Sequence, residues 1–345
     1  CKRCVMDTTD PDIKFHEGGF CNHCTDALKI LSNPPHTLSS IEKSKRFDEL
    51  VQEIKKRGEG KRYDCIIGVS GGIDSTYAAY IVKKAGLRPL AVHLDNGWDA
   101  ELAVKNIENI CKVLDLDLET HVIDWEEFKD IQVSFLKAST PDSEIPSDHA
   151  IRAIMYQKAA QYGVKYILAG TNAATEAILP VAWSQGNGDW KYIKNVQKHF
   201  GQKEIMTFPH MSYLRQVFQV GILKIRWISI LDYVDYRKES AKVIIIKELN
   251  WKDYGGKHHE SIYTKFFQTY ILPTKFGYDK RRAHLSNLIM SGQMTRDEAL
   301  TKLKEPPYRE SEISTEKGFV LKKLGLKAKI SALICPKAMR PSAQN

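Results

Sequence analysis

The stretch YDCIIGVSGGIDS, residues 63–75, decides the fold class of this chain. Its first half, Tyr63–Val69, is a short apolar run that predicts a buried strand. A helical pattern over Ser75–Ala85 follows at once. Between the two, Gly71 and Gly72 let the backbone turn sharply and approach a ligand closely. The sequence therefore predicts a strand, a glycine loop and a helix in direct succession, an order typical of phosphate-binding sites in α/β proteins.

The glycine loop, Ser70–Ser75, has the composition of a cradle for phosphate. Successive backbone N–H groups, the hydroxyls of Ser70 and Ser75, and the positive end of the next helix would all point at one position. Asp74 would repel a bare phosphate, so we expect it to bind Mg²⁺. The pattern is neither GxxxxGK[ST] nor GxGxxG. The alternative is an ordinary tight turn in which Ser75 caps the helix.

Strands and helices alternate beyond the glycine loop. Further strands are predicted over Pro89–Leu94, Leu118–Ile123 and Tyr166–Ala169, with helical apolar stripes between them. This alternation predicts an α/β fold with a doubly wound parallel sheet.

Ligands of such sheets bind at the carboxyl ends of the strands. In this chain those ends carry polar residues or glycine, which a purely structural sheet would not need. We therefore expect them to face one crevice with the glycine loop. The candidates at these ends are Asp95, Gly170, Thr171 and Asn172, with Glu176 beyond them.

The N-terminal segment carries two CxxC pairs, Cys1/Cys4 and Cys21/Cys24. Each pair can place two thiolates on one edge of a tetrahedral zinc ion. A segment this short has little core, so bound zinc would supply its folding energy. The alternative is a set of four unrelated thiols or a redox pair. The spacing favours a structural zinc ribbon or knuckle.

The composition limits the choice of partners. The formal net charge of +9 favours a polyanionic partner or substrate, either nucleic acid or nucleotides and nucleotide sugars. No apolar run reaches the length of a membrane span, and the chain does not open on a signal peptide. We therefore expect a cytoplasmic protein that does not bind membranes.

The glycine loop resembles the pyrophosphate loop of the PP-loop, or N-type, ATP pyrophosphatases. The segment Gly170–Glu176 is similar to the second nucleotide and metal segment of NAD synthetase. In this superfamily ATP adenylates a carbonyl-type oxygen, and a nitrogen or sulfur nucleophile then displaces AMP. The resemblance implies ATP and Mg²⁺ as cofactors and Asp74 and Glu176 as magnesium ligands. It also implies Asp95 and the segment Gly170–Asn172 as contacts to adenosine or aids to the metal.

Most of the chain, as far as about Gly325, resembles the N-acetyl sugar amidotransferases. These enzymes convert the N-acetyl group of a nucleotide-activated sugar into an acetamidine, for bacterial O-antigen or nonulosonic-acid glycans. The resemblance implies a separate glutaminase, with a cyclase-like subunit, as the source of ammonia. The motifs that carry the resemblance are the two CxxC pairs, His93–Trp98, Val104–Ile107, Ile123–Trp125, Gly255–Glu260 and Asp279–His284.

The same resemblance suggests residues around the substrates. Lys257, His258 and His259 are candidates for contact with the α-phosphate or for proton transfer. Arg281 and Arg282 are candidates for binding the diphosphate of the sugar. The alternative for these five is a solvated basic face. The aromatic candidates for substrate contact are Trp98 and Trp183.

Five segments are expected along the chain. They are a zinc-binding module over 1–35, a linker helix over 36–60, a PP-loop ATP pyrophosphatase domain over 61–250, a helical substrate or partner region over 251–310, and a basic tail over 311–345 on which no structure is predicted. The linker helix begins at the capping box Ser39-x-x-Glu42.

Two other functions compete with this interpretation. A tRNA-modifying PP-loop enzyme would suit the positive charge and the zinc module. However, no CxxC or persulfide cysteine is apparent downstream of the glycine loop. A zinc-dependent nucleic-acid-binding module with a degenerate ATPase fold is the second rival, and the intact Asp74 and Glu176 argue against it. Nucleic acid is therefore not the expected partner.

Overall fold

The computed structural model describes residues 1–184, 186–256 and 259–326. At its centre lies a five-stranded sheet in the order β3-β2-β1-β4-β5, in which every neighbouring pair is parallel. The predicted fold class is confirmed, and so are the four predicted strands; the fifth, β5, was not recognised in the sequence. The strands are β1 Cys65–Gly68, β2 Pro89–Asp95, β3 Leu118–Val122, β4 Tyr166–Ala169 and β5 Arg226–Ser229.

Helices cover both faces of the sheet and extend beyond it. Two of them, α9 and α11, continue as wider helical turns, over Val217–Ile222 and Phe267–Phe276 respectively. The helices are α1 Asn22–Leu31, α2 Ser40–Gly58, α3 Ile73–Lys84, α4 Glu101–Val113, α5 Trp125–Lys137, α6 Ile145–Gln161, α7 Ala173–Glu176, α8 Trp190–Phe200, α9 Tyr213–Gln216, α10 Lys238–Leu249, α11 Ile262–Phe266, α12 Lys280–Met290, α13 Arg296–Lys304 and α14 Glu310–Lys323.

The alternation of β1 explains the two layers of core around the sheet. Ile66 points into one layer, which contains α5 and α6. Cys65 and Ile67 point into the other, which contains α3 and α4. All three side chains are fully buried. Such burial stabilises the fold by about 1.5–3 kcal/mol for an aliphatic side chain, so the run that predicted β1 also anchors the glycine loop that follows it.

Two helix starts show how local sequence sets the boundaries. The capping box predicted at Ser39 is confirmed, because the Ser39 hydroxyl accepts the N–H of Glu42 while the Glu42 carboxylate accepts the N–H of Ser39. Helix α6 begins at Ile145. Pro146 lies in its first turn, where no intrahelical N–H bond is required.

The expectation of an unstructured tail from residue 311 is wrong for its first part. Helix α14 buries Val320, Leu321 and Leu324 against the main core. These residues are spaced to share one helix face, and their burial stabilises a segment whose basic composition suggested a tail. The remainder, 327–345, lies outside the described residues.

Within the described ranges, none of the helices combines the length and the apolar character that a bilayer span requires.

Candidate active site

Glycine is required at position 71 for two reasons. Its backbone has φ +77°, a left-handed conformation that other residues adopt at a cost. A Cβ atom there would also lie 2.6 Å from the carbonyl oxygen of Ala103 in α4. The indole N–H of Trp251 donates to the Gly71 carbonyl over 2.8 Å and fixes the turn from the other side. The glycine loop is thus held rigidly between β1 and α3.

The two serines of the glycine loop bond to the loop itself. The Ser75 hydroxyl accepts the N–H of Ser70 at 3.3 Å and donates to the Gly72 carbonyl at 3.2 Å. The two hydroxyl oxygens lie 3.1 Å apart. Ser75 is therefore inside the first turn of α3 and is not its N-cap, so the plain capped turn considered from the sequence is not what forms.

The N-cap of α3 is Gly72, which has no side chain to satisfy the first N–H groups of the helix. The Tyr254 hydroxyl lies beside this start, 3.2 Å from where a Cβ atom of Gly72 would be. The N-terminus carries a partial positive charge from the helix dipole. A helix start without a side-chain cap, directly after two glycines, is the geometry with which proteins bind phosphate.

Asp74 follows in the first turn and lies at the cavity in front of the loop. The buried hydroxyl of Tyr236 donates to Asp74 Oδ1. Burial, followed by the negative charges of Asp74 and Glu176, raises the pKa of Tyr236, so the phenol stays neutral and remains a donor. Both carboxylates thus act on the same phenol. Asp74 and Glu176 fit a magnesium site, because Mg²⁺ prefers one or two carboxylates together with phosphate oxygens.

The end of β4 is pressed against the start of α3. A Cβ atom on Gly170 would lie 2.7 Å from the backbone carbon of Asp74 and from the nitrogen of Ser75. Because position 170 has no side chain, Thr171 and Glu176 reach the same cavity as the loop. The end of β4 therefore lies beside the glycine loop.

The cavity has a volume of about 870 Å³, within the range of small-molecule sites. The glycine loop and the strand ends line it together with residues between Tyr254 and Asn287, of which Tyr254 and Glu260 lie against Gly72. The predicted site residues that line it are Ser70, Gly72, Asp74, Ser75, Gly170, Thr171 and Glu176.

Two predicted contacts to adenosine serve as local braces instead. Asp95 accepts the N–H of Gly97 at 2.8 Å. Asn172 is buried, caps α7 by accepting the N–H of Thr175 at 2.9 Å, and donates to the Gly170 carbonyl. Neither side chain is among those that line the cavity. Short polar side chains are favoured in such turns, and this explains their position at strand ends.

The two predicted aromatic contacts are core residues. Trp98 is fully buried, and its indole N–H donates to Gln132 Oε1 at 2.6 Å. Trp183 is also fully buried and stacks on Tyr278, with a centroid distance of 5.3 Å. Neither ring lines the cavity. The prediction that they contact the substrate is wrong for this structure, because their apolar area is used in packing.

Arg281 and Arg282 point away from the cavity. Arg281 forms an ion pair with Asp279, its Nη2 lying 2.7 Å from Oδ2. Arg282 Nη2 lies 2.9 Å from Asp7 Oδ2, in the N-terminal segment. The cavity-lining residues of α12 are instead Lys280, Ala283, His284 and Asn287.

The helical period could have identified that face. Residues 280, 283, 284 and 287 recur at the spacing of one side of a helix, whereas the sequence interpretation chose arginine for its chemistry alone. Of the remaining candidates, His259 packs its ring against Gly256 and is not among the residues that line the cavity. Lys257 and His258 lie outside the described residues.

An acidic part of the wall was not predicted. Asp142, Glu144 and Asp148 line the cavity at the start of α6, where Lys280 Nζ lies 3.8 Å from Glu144 Oε2. Asp148 is open to cavity water but lies deep among protein atoms. Burial, and then the charges of Asp142 and Glu144, raise its pKa to about 8. Such a carboxyl group can accept and release a proton near neutral pH.

His93 is a second residue that the site prediction omitted. Its Nδ1 lies 3.0 Å from the Val69 carbonyl and its Nε2 lies 3.1 Å from Asp99 Oδ2. Both partners are acceptors, so only the doubly protonated ring can donate to each of them. Burial lowers the pKa of His93, but the hydrogen bond to Asp99 and its negative charge outweigh this and raise it. His93 thereby joins the end of β1 to the loop after β2.

The four N-terminal cysteines form a compact group, here called the cysteine cluster. All four sulfurs lie within 4.8 Å of one another, with 3.7 Å between Cys1 and Cys24 and 3.5 Å between Cys4 and Cys21. Tetrahedral zinc–thiolate bonds require a sulfur separation of about 3.8 Å. A hydrogen bond from Cys21 lowers the pKa of the Cys4 thiol to about 6. The donor set therefore fits a structural zinc ion.

Two family models match the chain. Residues 42–208 match the model described as NAD synthase. Residues 260–341 match the model described as LPS biosynthesis protein WbpG-like, C-terminal domain. The first match contains the glycine loop and β1–β4, and the second contains α11 and α12, which also line the cavity.

Individual relatives match different shares of the chain. An uncharacterized protein of Methanocaldococcus jannaschii is 26% identical over 318 residues, covering 89% of this chain and 93% of that protein. The tRNA-specific 2-thiouridylase MnmA of Nitratiruptor sp. is 26% identical over 204 residues, covering 56% of this chain and 58% of the enzyme. The solved structure of NMN synthetase from Francisella tularensis has 15% identity and a TM-score of 0.34, covering 66% of this chain and 91% of that one.

The PP-loop fold is that of ATP-utilizing enzymes such as NAD synthetase, and its glycine loop lies here at the carboxyl edge of the sheet. The helices that close the cavity belong to the second match. This chain therefore combines a PP-loop fold with a C-terminal segment that matches the C-terminal domain of WbpG-like LPS biosynthesis proteins.

Proposed function

We propose that this protein is an ATP-dependent amidotransferase that forms AMP and pyrophosphate. The observation that carries the proposal is the start of α3, which follows two glycines, has no side-chain cap and faces a cavity shared with Asp74 and Glu176. The acceptor is an N-acetyl group of a nucleotide-activated sugar, and the product is an acetamidine. The WbpG-like match supports a role in lipopolysaccharide O-antigen synthesis.

The reaction has two steps. The acetamide oxygen attacks the α-phosphorus of ATP, and the bond from that phosphorus to pyrophosphate breaks. The product of this step is an O-adenylated imidate. Ammonia then adds to the imidate carbon and loses a proton. Finally, the carbon–oxygen bond to AMP breaks. A metal ion held by Asp74 and Glu176 would neutralise charge on the phosphates. The N–H groups of the glycine loop bind the pyrophosphate as it leaves.

The two walls divide the work. The wall that contains α3 holds the nucleotide, and the wall that contains α12 holds the acceptor, with Lys280 and His284 facing it. Asp148 lines the same cavity, and its ionised carboxylate is the proposed acceptor of the proton that ammonia loses. Ammonia comes from a separate glutaminase with a cyclase-like subunit. A structural zinc ion in the cysteine cluster and a cytoplasmic location belong to the same proposal.

The competing function is tRNA modification, as in the 2-thiouridylases to which half of the chain is similar. Sulfur transfer needs a reactive cysteine at the nucleotide. Cys65 and Cys111 are buried, and burial raises the pKa of the Cys111 thiol to about 11. Among the described residues, no cysteine lines the cavity. This favours a nitrogen nucleophile.

The test is pyrophosphate release from Mg-ATP with ammonium and a panel of UDP- and CMP-linked N-acetyl sugars, with tRNA as a separate acceptor. We expect release with one sugar class and a product in which NH replaces the acetamido oxygen, detected by mass spectrometry. Asp74→Asn is the control and should lower the rate by about 100-fold or more. Release with tRNA alone would contradict the amidotransferase proposal and leave the ATP chemistry standing.

A further inference from the structure

The cysteine cluster is held by one face of α12. Arg282 Nη1 donates to the Val5 carbonyl at 2.9 Å, and its Nη2 lies 2.9 Å from Asp7 Oδ2. The Ser286 hydroxyl accepts the N–H of Val5 at 3.1 Å. Ser286 is fully buried, so its bond to Val5 is shielded from water. They fix the loop that contains Cys4 relative to α12.

An arginine of α13 holds the same loop from a second direction. Arg296 Nε donates to the Cys4 carbonyl at 3.3 Å, and its Nη2 donates to the Cys1 carbonyl at 3.1 Å. Carbonyls next to metal-binding thiolates orient the sulfurs when they are held in this way. The cluster thus depends on the C-terminal helices as well as on its own turns.

The other face of α12 holds the turn that follows Glu176. Asn287 is 1% exposed, and its Oδ1 accepts the N–H of Ile178 at 2.7 Å. Its Nδ2 donates to the carbonyls of Thr175 at 3.0 Å and Ile178 at 3.3 Å. A single buried amide therefore makes three bonds to the segment that carries one of the two magnesium candidates.

Apolar contacts join the two faces. Ile178 and Ala283 are buried in the same group of side chains as Cys4, Cys21 and Cys24, and both also line the cavity. The cysteine cluster and the cavity therefore share side chains of one packed apolar group. Because interiors are close-packed, a displacement at one end of this group is felt at the other.

We propose that the cysteine cluster positions the wall of the active-site cavity through α12. Arg282, Ser286 and Asn287 are positioning residues: the first two fix α12 on the cluster, and the third fixes the Glu176 turn on α12. Lys280 takes its place in the cavity from the same helix. The inference rests on the proposed function only in assigning catalysis to this cavity; the mechanical connection is independent of it.

The test compares Arg282→Gln with Arg281→Gln in zinc-loaded, full-length protein. Both variants remove one positive charge from the first turn of α12, but the Arg281 side chain bonds to Asp279 and to the Glu305 carbonyl rather than to the cluster. We expect Arg282→Gln to release zinc to a chromogenic chelator about tenfold faster than wild type. Arg281→Gln should release it at the wild-type rate.

Hydrogen exchange then shows whether the effect crosses α12. In zinc-loaded Arg282→Gln, the peptide that contains residues 173–178 should exchange about tenfold faster, while the peptide of β1 stays unchanged. Faster zinc release with unchanged exchange over 173–178 would overturn the proposal, and so would unchanged zinc release. If no acceptor supports pyrophosphate release, the proposed function fails while this exchange comparison still decides the inference.

Discussion

Single atoms decide the geometry of the cavity. At Gly170 a hydrogen in place of a side chain lets β4 touch the first turn of α3, where a Cβ would come within 2.7 Å of backbone atoms. At Tyr236 one hydroxyl proton is directed at Asp74. At His93 the ring needs both of its protons to satisfy a carbonyl and a carboxylate. Each of these residues holds in place a neighbouring residue that lines the cavity.

The His93 pair predicts a dependence of stability on pH. The pKa of His93 is raised in the folded state, so its contribution is fully present below the ordinary value of 6.5 and is lost as pH rises through the higher folded value. In Asp99→Asn this contribution should be smaller. The free energy of unfolding in urea, measured from about pH 6 to about pH 9, should therefore differ most between the two proteins at the acidic end. A difference that grows toward pH 9 would contradict the assignment.

Trp98→Phe separates a core role from a substrate role. The change removes the indole N–H and leaves Gln132 Oε1 buried without its donor, so we expect a loss of about 1–3 kcal/mol in the free energy of unfolding. KM for the acceptor should stay unchanged. Trp125→Phe, at a half-buried neighbour that packs edge-on to Trp98, is the matched control and should cost less. Unchanged stability with a raised KM would restore the substrate role.

At the scale of elements, the sequence predicts what is periodic and misses what is not. Strands β1 and β4 could be predicted because they are buried apolar runs between turn residues. Strand β5 could not, because of its four residues only Ile228 is buried. The residues that line the cavity from α6 and α12 belong to segments about 110 positions or more apart, and no local pattern states that such segments meet. Arg281 and Arg282 were predicted to bind the sugar diphosphate for the same reason, since the local sequence does not show which side of α12 faces the cavity.

Helix α14 is part of the core, and this can be measured. Val320 is fully buried, so Val320→Ala removes two methyl groups from packed surroundings and should cost about 2 kcal/mol of unfolding free energy. Ser314→Ala on the exposed side of the same helix should change it by less than about 0.5 kcal/mol. Equal effects of the two changes would mean that α14 is not packed as described.

At the scale of the whole molecule, the cavity is lined by two parts of the chain that match different family models. The NAD synthase match supplies the glycine loop, and the WbpG-like match supplies the facing helices. Four of the five strands of the sheet could be predicted from the sequence, together with the glycine loop and Glu176. The facing wall could be predicted only as helical, because its inward face depends on how α12 is packed.

Binding of Mg-ATP in the cavity should stabilise the folded protein. At a Mg-ATP concentration of about 100 times Kd, linkage predicts a gain of about 2.7 kcal/mol in the free energy of unfolding. Asp74→Asn should remove most of this gain, since it removes a proposed magnesium ligand. Thermal unfolding with and without Mg-ATP measures the effect. A full gain in the variant would place the metal elsewhere.

The bond between Val5 and Ser286 also has a consequence for the order of synthesis, since it joins positions 281 residues apart. Ribosomes add about 5–20 residues per second, so the first cysteines leave the exit tunnel roughly a quarter of a minute to a minute before their supporting helix. During that interval the four thiols depend on early zinc loading or on cellular reductants. The nascent chain also displays an open glycine loop, and the cavity can close only after α12 has been synthesised.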